Sequence, residues 1–467
     1  MKHSEYNSSE LATIPGSFRD PKGSVAKNKK DEILRILFKS GYEAFQEVDK
    51  TGIYEKLIKS GKLVAHEKIE TDLPEGAQML LKHPTIPVIS YPYEWCFEQL
   101  KAAALLQLDV YLDALSSGIT LSDATAYNIQ FDKSKPCFID TLSFEPYEDG
   151  AFWTGQEQFT EQYLNPLILR AYGGLTFNDI YRGSLTGVTS DIIRATTPFY
   201  RKVSFRYFNY IYLPHASKQR FLDKGNNQGK KIKGKLPKEG FIFILKGLRK
   251  WIEGLEDKKM NSVWSDYEGN RSYEEESLSE KKQFVSKHVS TAKPGRVLDI
   301  GCNMGEFSFL ALESGAKHAV GLEFDHQALS VAYLQSVKKQ ANFLPLYQNM
   351  LNPSPSQGWE SKERESLTER VSADFVLALA IIHHIAISGN VPLSRVISYI
   401  TNFAKQGVIE WVPKTDPMIK ALLFNREDIF DTYTEEVLNQ SLIDCGCKVE
   451  EKKEISNGRV LYYYTNA

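Results

Sequence analysis

The segment that most constrains the fold is VLDIGCNMGEFS, at residues 297–308. Its β-branched and aliphatic start predicts a buried strand that ends at Gly301, and Gly305 begins a predicted helix. A strand, a glycine turn and a helix in this order are typical of parallel α/β sheets, where glycine lets a ligand approach the backbone. The spacing D-x-G-x-x-x-G matches neither the dinucleotide fingerprint nor the phosphate loop, so a pyrophosphate ligand is disfavoured.

Short apolar segments alternate with helical stretches from residue 295 onward. The predicted strands are 296–300, 319–323, 343–347, 375–379 and 407–412, and one predicted helix covers 392–404. This alternation favours a parallel sheet with helices on both faces. Asn457-Gly458 near the end of the chain predicts a type I′ hairpin between two further strands. The predicted fold class is therefore α/β, a doubly wound sheet that ends in an antiparallel hairpin.

An acidic residue ends the second predicted strand, in GLEFD at residues 321–325. It lies about twenty residues after the glycine turn, where an acid can accept hydrogen bonds from both hydroxyls of a ribose. This acid is Glu323. Because the turn carries no phosphate signature, the two features together predict a nucleoside ligand without a tightly held pyrophosphate.

These motifs resemble class I S-adenosylmethionine-dependent methyltransferases over roughly residues 260–467, through VLDIGCNMGEFS, GLEFD, QNM and DFVLALAIIHHI. The resemblance implies a Rossmann-like seven-stranded sheet, S-adenosyl-L-methionine as cofactor and methyl transfer as the reaction. It implies that the turn holds the methionine part and that Glu323 holds the ribose. The residues it assigns to cofactor binding are Asp299, Gly301, Cys302, Asn303, Gly305, Glu323, Phe324, Asn349, Met350 and Leu379.

Two of these positions depart from the family pattern. Asn303 stands where the family usually has glycine. Asn349 stands where the family often has an aspartate that contacts the adenine amino group. The amide of Asn349 still offers a polar partner, so the same kind of contact is expected there.

Methyl transfer from a sulfonium is an in-line displacement, in which the enzyme mainly positions the acceptor. An oxygen or nitrogen acceptor must also lose a proton, and histidine suits that step near neutral pH. His383 and His384 follow the fourth predicted strand, at the edge where ligands bind in such sheets. The alternative for each is a buried or helix-start histidine. Glu410 and Lys414 are further catalytic candidates at this edge.

A second motif lies in ITLSDATAYNIQFDKSKPCFID, at residues 119–140. Asp123 and Asn128 have the D-x-x-x-x-N spacing of a kinase catalytic loop, and Asp140 follows a short apolar strand. In kinases the first aspartate receives the hydroxyl proton, while the asparagine and the second aspartate hold magnesium. The segment therefore resembles the catalytic core of protein-kinase-like and aminoglycoside-kinase-like folds, which implies a nucleotide and magnesium site.

Departures from the kinase pattern leave three interpretations open. Leu-Ser replaces the His-Arg before Asp123, and Thr-Leu replaces the Phe-Gly after Asp140. The nearest basic residue to the missing lysine is Arg35, and arginine is not equivalent to lysine in gripping phosphates. The motif is a capped turn, a kinase-shaped module without phosphotransfer that helps bind substrate, or an active kinase that uses Mg-ATP.

The predicted organisation has three parts. Residues 1–215 form a kinase-like domain, residues 216–260 a basic linker with an amphipathic helix, and residues 261–467 the methyltransferase domain. The linker prediction rests on a Lys- and Gly-rich composition between 217 and 240. The stretch 241–255 has an apolar stripe with interleaved cations, for which packing between domains is favoured and membrane-surface contact is the alternative.

Three aromatic residues precede the methyltransferase motifs. Trp264, Tyr267 and Tyr273 form an aromatic lid or pack in a core. The whole chain also resembles bacterial nodulation-related methyltransferase-like proteins, through SYPYEW, LSDATAYNIQF and FIDTLSFE. That resemblance supports the two-part architecture and implies no particular substrate. The methyl acceptor is therefore an unidentified small molecule, glycan or protein.

Composition narrows the remaining function classes. The formal net charge of −2 indicates no dedicated nucleic-acid partner. Five scattered cysteines argue against a disulfide framework, and with no signal-peptide pattern they predict a cytoplasmic protein. Two rival functions remain: a bifunctional kinase–methyltransferase, and a non-catalytic protein that binds S-adenosylmethionine.

Overall fold

The structure is a computed structural model that describes residues 11–71, 73–151, 153–216, 236–258, 274–424 and 426–466. The chain divides into two compact units. The first comprises Met1–Met260 with Ser356–Arg364, and the second comprises Asn261–Pro355 with Glu365–Ala467. Trp264, Tyr267 and Tyr273, and most of the predicted basic linker, lie outside the described residues.

A five-stranded antiparallel sheet begins the first unit. Its strands are β1 (Ala12–Thr13), β2 (Gly23–Lys27), β3 (Ile33–Phe38), β4 (Glu67–Ile69) and β5 (Ala77–His83), in the order β1-β2-β3-β5-β4. Along β3, Leu34 and Ile36 are buried while Arg35 is partly exposed. Successive side chains of a strand point to opposite faces, so Arg35 lies on the face opposite Leu34 and Ile36, beside the buried Leu37.

The rest of the first unit is mainly helical and contains two short antiparallel strand pairs. β6 (Ile119–Leu121) pairs with β9 (Phe144–Pro146), and β7 (Ile129–Asp132) pairs with β8 (Lys135–Phe138). The α-helices are Lys39–Asp49, Ile53–Lys59, Phe97–Ser116, Gln156–Phe159, Asn165–Ile168, Asn178–Gly183, Ser190–Thr196, Phe199–Lys202, Phe205–Tyr207 and Lys238–Glu253. Single π-helical turns cover Thr160–Leu164, Leu169–Gly173 and Phe208–Tyr212, and 3₁₀ turns cover Pro15–Ser17, Pro92–Glu94, Ala126–Asn128 and Thr141–Ser143.

The predicted amphipathic helix packs inside the first unit. Its apolar stripe is buried: Phe241, Leu245, Leu248, Trp251 and Ile252. Arg249 donates to Asp109 of the helix Phe97–Ser116 at 2.6 Å. The expectation that this helix packs between two domains was therefore wrong, because its partner helix belongs to the same unit. Nowhere among the described residues is a helix both long and apolar enough to cross a bilayer.

A seven-stranded mixed sheet organises the second unit, in the order β12-β11-β10-β13-β14-β16-β15. Its strands are β10 (Arg296–Ile300), β11 (His318–Glu323), β12 (Phe343–Tyr347), β13 (Phe375–Ala378), β14 (Gln406–Trp411), β15 (Cys447–Glu454) and β16 (Val460–Asn466). β10 to β14 pair in parallel, whereas β16 runs antiparallel to both β14 and β15. The α/β class is confirmed.

Helices cover this sheet and close its core. They are Glu274–Ala292, Glu306–Glu313, His326–Lys339, Leu367–Arg370, Leu393–Thr401, Pro417–Leu423 and Glu435–Asp444, with a π-helical turn at His384–Ser388. Val297, Phe375, Val408 and Leu461, from four strands, pack in one buried cluster. Because five parallel strands end at the same edge, the loops that follow them are gathered there.

The turn of the final hairpin differs from the predicted one. Gly458 has a φ of 77°, but Asn457 is not among the residues with positive φ. The Ile455 N–H donates to the Arg459 carbonyl at 2.9 Å, so the loop spans 455–459. A type I′ turn needs positive φ at both central residues, and the type I′ prediction was therefore wrong. The hairpin itself is present.

Gly41, in the helix Lys39–Asp49, provides a test of how closely this helix packs against the start of β2. A β-carbon at Gly41 would overlap the Lys22 carbonyl oxygen, which accepts the Phe38 N–H at 2.9 Å and joins β2 to β3. We expect Gly41→Ala to lower the free energy of unfolding by about 1–3 kcal/mol, measured by urea denaturation. Gly183→Ala is the matched control, because nothing lies within 4 Å of the added carbon. Equal stability of the two variants would contradict the packing.

Candidate functional site

The loop after β10 turns sharply at the carboxyl edge of the sheet. Gly301, Asn303 and Gly305 have φ values of 76°, 49° and 88°. The N–H groups of Gly301 and Cys302 both donate to the Leu322 carbonyl, at 2.8 and 3.1 Å. Left-handed backbone at Asn303 explains why glycine is expected there, and asparagine is one of the few other residues that tolerate it.

Small residues let this loop pack closely against β11 and β12. A β-carbon at Gly305 would lie 2.6 Å from the Phe343 ring, and one at Gly321 would lie 2.5 Å from the Cys302 sulfur. Cys302 is buried, so its side chain packs under the loop. The glycines therefore leave the loop backbone open to close approach, while Asn303 and Met304 are its exposed side chains.

Glu323, at the end of β11, stabilises the loop after β10 through a hydrogen bond to the loop backbone. Its carboxylate accepts the backbone N–H groups of Asn303, Phe324 and Asp325, each at 2.8 Å. Burial raises the pKa of Glu323, and these three N–H groups oppose the shift. A carboxylate has about four acceptor positions, so one remains for a ligand hydroxyl.

Asp299 lies within β10, beside the same loop. Its carboxylate is 2% exposed and accepts the Ser308 hydroxyl at 2.7 Å. Burial, with a smaller contribution from the Glu323 charge, raises the pKa of Asp299 to about 7. Ser308 lies in the motif that identified the loop, but no role was predicted for it.

The other predicted cofactor residues lie at the ends of neighbouring strands. Phe324 follows β11 and is 49% exposed. Asn349 and Met350 follow β12, and Asn349 accepts the Leu351 N–H at 3.0 Å. Leu379 follows β13 and is buried, and Ala380 after it has a φ of 50°. The ten predicted residues therefore belong to four adjacent parallel strands and the loops at one sheet edge.

The two predicted histidines lie together after β13. Their rings are 4.1 Å apart, and His383 is 1% exposed. Neither ring nitrogen of His383 has a hydrogen-bond partner among the described residues. Burial, reinforced by the charges of His384, Arg459 and Lys281, lowers the pKa of His383 to about 2. His383 is therefore neutral at physiological pH, and the pKa of His384 is lowered as well.

Glu410 lies in a buried cluster of four charges. It is fully buried in β14, where Lys281 donates to it at 2.6 Å and Arg459 at 3.3 Å. Arg459 also donates to Asp416 at 2.8 Å. Two carboxylates therefore face two cations, which is the balance that buried charges require. Lys414 lies apart from them and pairs with Asp428.

The predicted site of the first unit is also a connected cluster. The Asn128 amide donates to Asp123 at 3.0 Å, and the Ser143 hydroxyl donates to both Asp123 and Asp140. Burial, followed by the charge of Asp140, raises the pKa of Asp123 to about 6. Ser143, which bridges the two aspartates, carried no sequence signal. The structure thus brings Asp123, Asn128 and Asp140 together.

A cation from the antiparallel sheet closes this cluster. The Arg35 guanidinium on β3 lies 2.9 Å from the Asp140 carboxylate, and the two side chains are 11% and 20% exposed. The Leu142 N–H donates to the same oxygen at 3.1 Å. Nearby, Lys22 pairs with Glu145. Both carboxylate oxygens of Asp140 therefore have a partner in the protein, and the Arg35 guanidinium balances the charge of this carboxylate.

The sheet and its loops define an α/β protein in which the predicted cofactor residues lie at the carboxyl edge of parallel strands. No family model matches the sequence. Nodulation protein NoeA of Rhizobium meliloti (strain 1021) is 42% identical over 462 residues, which cover 97% of this chain and 95% of that protein. The chain belongs to the NoeA family.

Two solved structures each resemble less than half of the chain. Magnesium protoporphyrin IX methyltransferase (ChlM) from Synechocystis PCC 6803, with bound S-adenosylmethionine, is 16% identical with a TM-score of 0.30 and covers 47% of this chain and 91% of its own. The PH0226 protein of Pyrococcus horikoshii OT3 is 14% identical with a TM-score of 0.32. The match covers 44% of this chain and 100% of that protein. Likenesses of this size identify neither substrate nor reaction.

Asp299 makes the stability of the second unit depend on pH. Its pKa is raised to about 7, so between about pH 4 and 7 the folded chain holds a proton that the unfolded chain has released. The contribution of Asp299 to stability therefore falls as pH rises through this window. We expect Asp299→Asn to gain stability relative to the natural chain over the same window, measured by urea unfolding at several pH values. Asp431→Asn, at an exposed carboxylate, is the control; a difference independent of pH would contradict the assignment.

Proposed function

We propose that the second unit is an S-adenosylmethionine-dependent methyltransferase whose acceptor is a small molecule, glycan or protein group. The observation that carries this proposal is the junction between the loop after β10 and Glu323, joined by the Asn303 N–H at 2.8 Å. It offers a free carboxylate position for a ribose hydroxyl beside a glycine loop that carries no phosphate-binding signature. A cofactor with a nucleoside end and an amino acid end fits both features.

The residues that would hold this cofactor follow from their places at the edge. Glu323 would hold the ribose, and the turn from Asp299 to Gly305 would hold the methionine part. Phe324 follows β11 directly after Glu323, and Asn349 and Met350 follow the neighbouring strand β12. These three residues would therefore face the adenine. When bound, the cofactor supplies a methyl group on a sulfonium, which is activated for in-line transfer.

The protein's own contribution is to place the acceptor and accept its proton. His383 stays neutral, so one ring nitrogen offers a lone pair at any physiological pH, and no described residue occupies it. We assign His383 to orienting the acceptor through this lone pair, because a pKa of about 2 makes it too weak a base to take a proton. We assign the acceptor's proton to His384, which is partly exposed. Glu410 is paired with Lys281 and Arg459. Its role in this proposal is therefore to fix the position of the loops at the carboxyl edge of the sheet.

Cofactor binding is tested by removing the ribose acceptor. We expect Glu323→Ala to weaken binding of S-adenosylhomocysteine about 10- to 100-fold in calorimetric titration, because charge-assisted hydrogen bonds contribute about 1.5–3 kcal/mol. Glu323→Gln keeps the shape of the side chain and should also bind more weakly. The control is Glu313→Ala, at an exposed carboxylate of the same unit. Unchanged affinity would remove the role of Glu323, and failure of the natural chain to bind would overturn the methyltransferase proposal.

We propose that the first unit is a kinase-like module that helps bind the acceptor and transfers no phosphate. A five-stranded antiparallel sheet followed by a mainly helical region supports the kinase-like interpretation. The ion pair between Arg35 and Asp140 supports the absence of phosphotransfer. In kinases the aspartate at this place binds magnesium, and here a guanidinium already neutralises it.

A bifunctional kinase–methyltransferase is the competing function, and one observation favours it. The pKa of Asp123 is raised to about 6, close to the value that suits a general base near neutral pH. Asp123 is also the residue at which the kinase resemblance expects the proton acceptor. This function requires Mg-ATP to displace Arg35 from Asp140.

A nucleotide titration separates the two functions. We expect no heat of binding when Mg-ATP is titrated into the intact protein, because Asp140 is already paired with Arg35. The bifunctional alternative predicts binding that Asp140→Asn abolishes. Asp179→Asn, at a side chain 66% exposed in the same unit, is the control and should leave any such binding unchanged. Binding lost only in Asp140→Asn would therefore overturn the scaffold proposal.

We infer a cytoplasmic location from the thiols. All five cysteines are free, and two of them, Cys96 and Cys302, are buried in the cores of different units. Buried thiols without disulfide partners suit a reducing compartment.

A further inference from the structure

Eight of the large apolar side chains exposed on the first unit lie in the segment 199–213 or on the helix Lys238–Glu253, and seven of the eight fall within fifteen residues. They are Phe199, Tyr200, Val203, Phe205, Phe208, Tyr212, Leu213 and Phe243. Their exposed fractions run from 45% for Tyr212 to 80% for Phe205. We call this set the aromatic patch, since six of its members are Phe or Tyr. Exposed apolar groups that cluster in this way mark an interaction surface.

Contacts on the first unit join two parts of the patch, the segment 205–213 and the helix that carries Phe243. Tyr210 donates its hydroxyl to the Ile244 carbonyl at 3.1 Å, which sets the segment 205–213 against the helix Lys238–Glu253 beside Phe243. The rings of Phe208 and Tyr212 stack at 5.4 Å. Buried Tyr207 and Ile211 anchor the same segment, so its exposed rings are held outward by packing on the opposite side.

Cations accompany the patch and acids are almost absent from it. Residues 199–216 and 236–250 contain seven Lys and Arg and one acidic residue, Glu239. Of the seven cations, Arg249 is paired with Asp109, so six remain. Arg201, Arg206, Lys246 and Lys250 are exposed. The whole chain has a formal net charge of −2, so the excess of positive charge is local. A partner that complements this surface must be apolar and anionic.

A membrane surface of anionic lipid meets both requirements. Phe and Tyr side chains favour the boundary between headgroups and acyl chains, and Lys and Arg pair with lipid phosphates. A second copy of the chain fits less well, because two such surfaces face to face would bring cations against cations. A nucleic acid would use the cations, but it offers no partner for aliphatic Val203 and Leu213.

We propose that the aromatic patch docks the protein on an anionic membrane surface. The apolar side chains enter the headgroup region while the neighbouring cations contact lipid phosphates. The docking surface differs from the stripe of residues 241–255 that the sequence suggested, because that stripe is buried. The proposal requires neither methyl transfer nor nucleotide binding, so it stands or fails independently of both.

Vesicle co-sedimentation of the full chain tests the docking surface. We expect the protein to sediment with vesicles of phosphatidylcholine and phosphatidylglycerol, to bind vesicles of phosphatidylcholine alone more weakly, and to be released by salt. The double variant Phe205→Ser/Phe243→Ser should lose about tenfold or more in affinity, since two exposed apolar groups no longer enter the lipid. Arg201→Gln/Arg206→Gln should lose about fivefold for each charge.

The control is Phe424→Ser, which removes a side chain 84% exposed on the second unit and should leave sedimentation unchanged. All replaced side chains are exposed, so we expect unchanged thermal melting, and the charge variant provides a second test if a Phe variant folds poorly. Absence of sedimentation, or equal loss in the control, would overturn the proposal. So would binding to polyuridylate without vesicle binding, or a dimer that the Phe variants disperse.

Discussion

One buried carboxylate supports the candidate site of the second unit. Glu323 accepts the Asn303 N–H from the loop after β10 and two further N–H groups from its own loop. A buried N–H without a partner costs about 1–3 kcal/mol, so this side chain stabilises a loop whose backbone is left-handed at Gly301, Asn303 and Gly305. The residue that shapes the loop also offers the remaining acceptor position to a ligand. Binding and loop geometry therefore depend on the same atoms.

The parts of this arrangement that are local in sequence were predictable. Each of the five parallel strands lies within one residue of its predicted ends, because buried parallel strands read as continuous apolar runs. The order of strand, glycine turn and acid then brought Asp299 and Glu323 to one edge. The helix around residue 245 was also predicted with its apolar stripe, since a period of 3.6 residues identifies the stripe.

The parts that depend on distant residues left no pattern. Lys281 and Glu410 are 129 residues apart, and Arg459 completes their cluster from the final hairpin. The pairing of Arg35 with Asp140 likewise joins the central strand of the antiparallel sheet to a loop far along the chain. An ion pair of this kind needs only one charged residue at each end, and such residues are common. For the same reason, an apolar stripe predicts burial of a helix but does not identify the helix against which it packs.

Buried charges inside the two units are paired with opposite charges, whereas the exposed cations of the aromatic patch are solvated. In the second unit, Glu410 and Asp416 face two cations, and in the first unit Arg35 faces Asp140. These groups are removed from water, where an unpaired charge would be costly, so each finds its counter-charge within the protein. The patch cations stay in water and carry no such requirement. Positive charge beside exposed aromatic rings can therefore persist without a partner in the same chain, and its natural counter-charge lies on another surface.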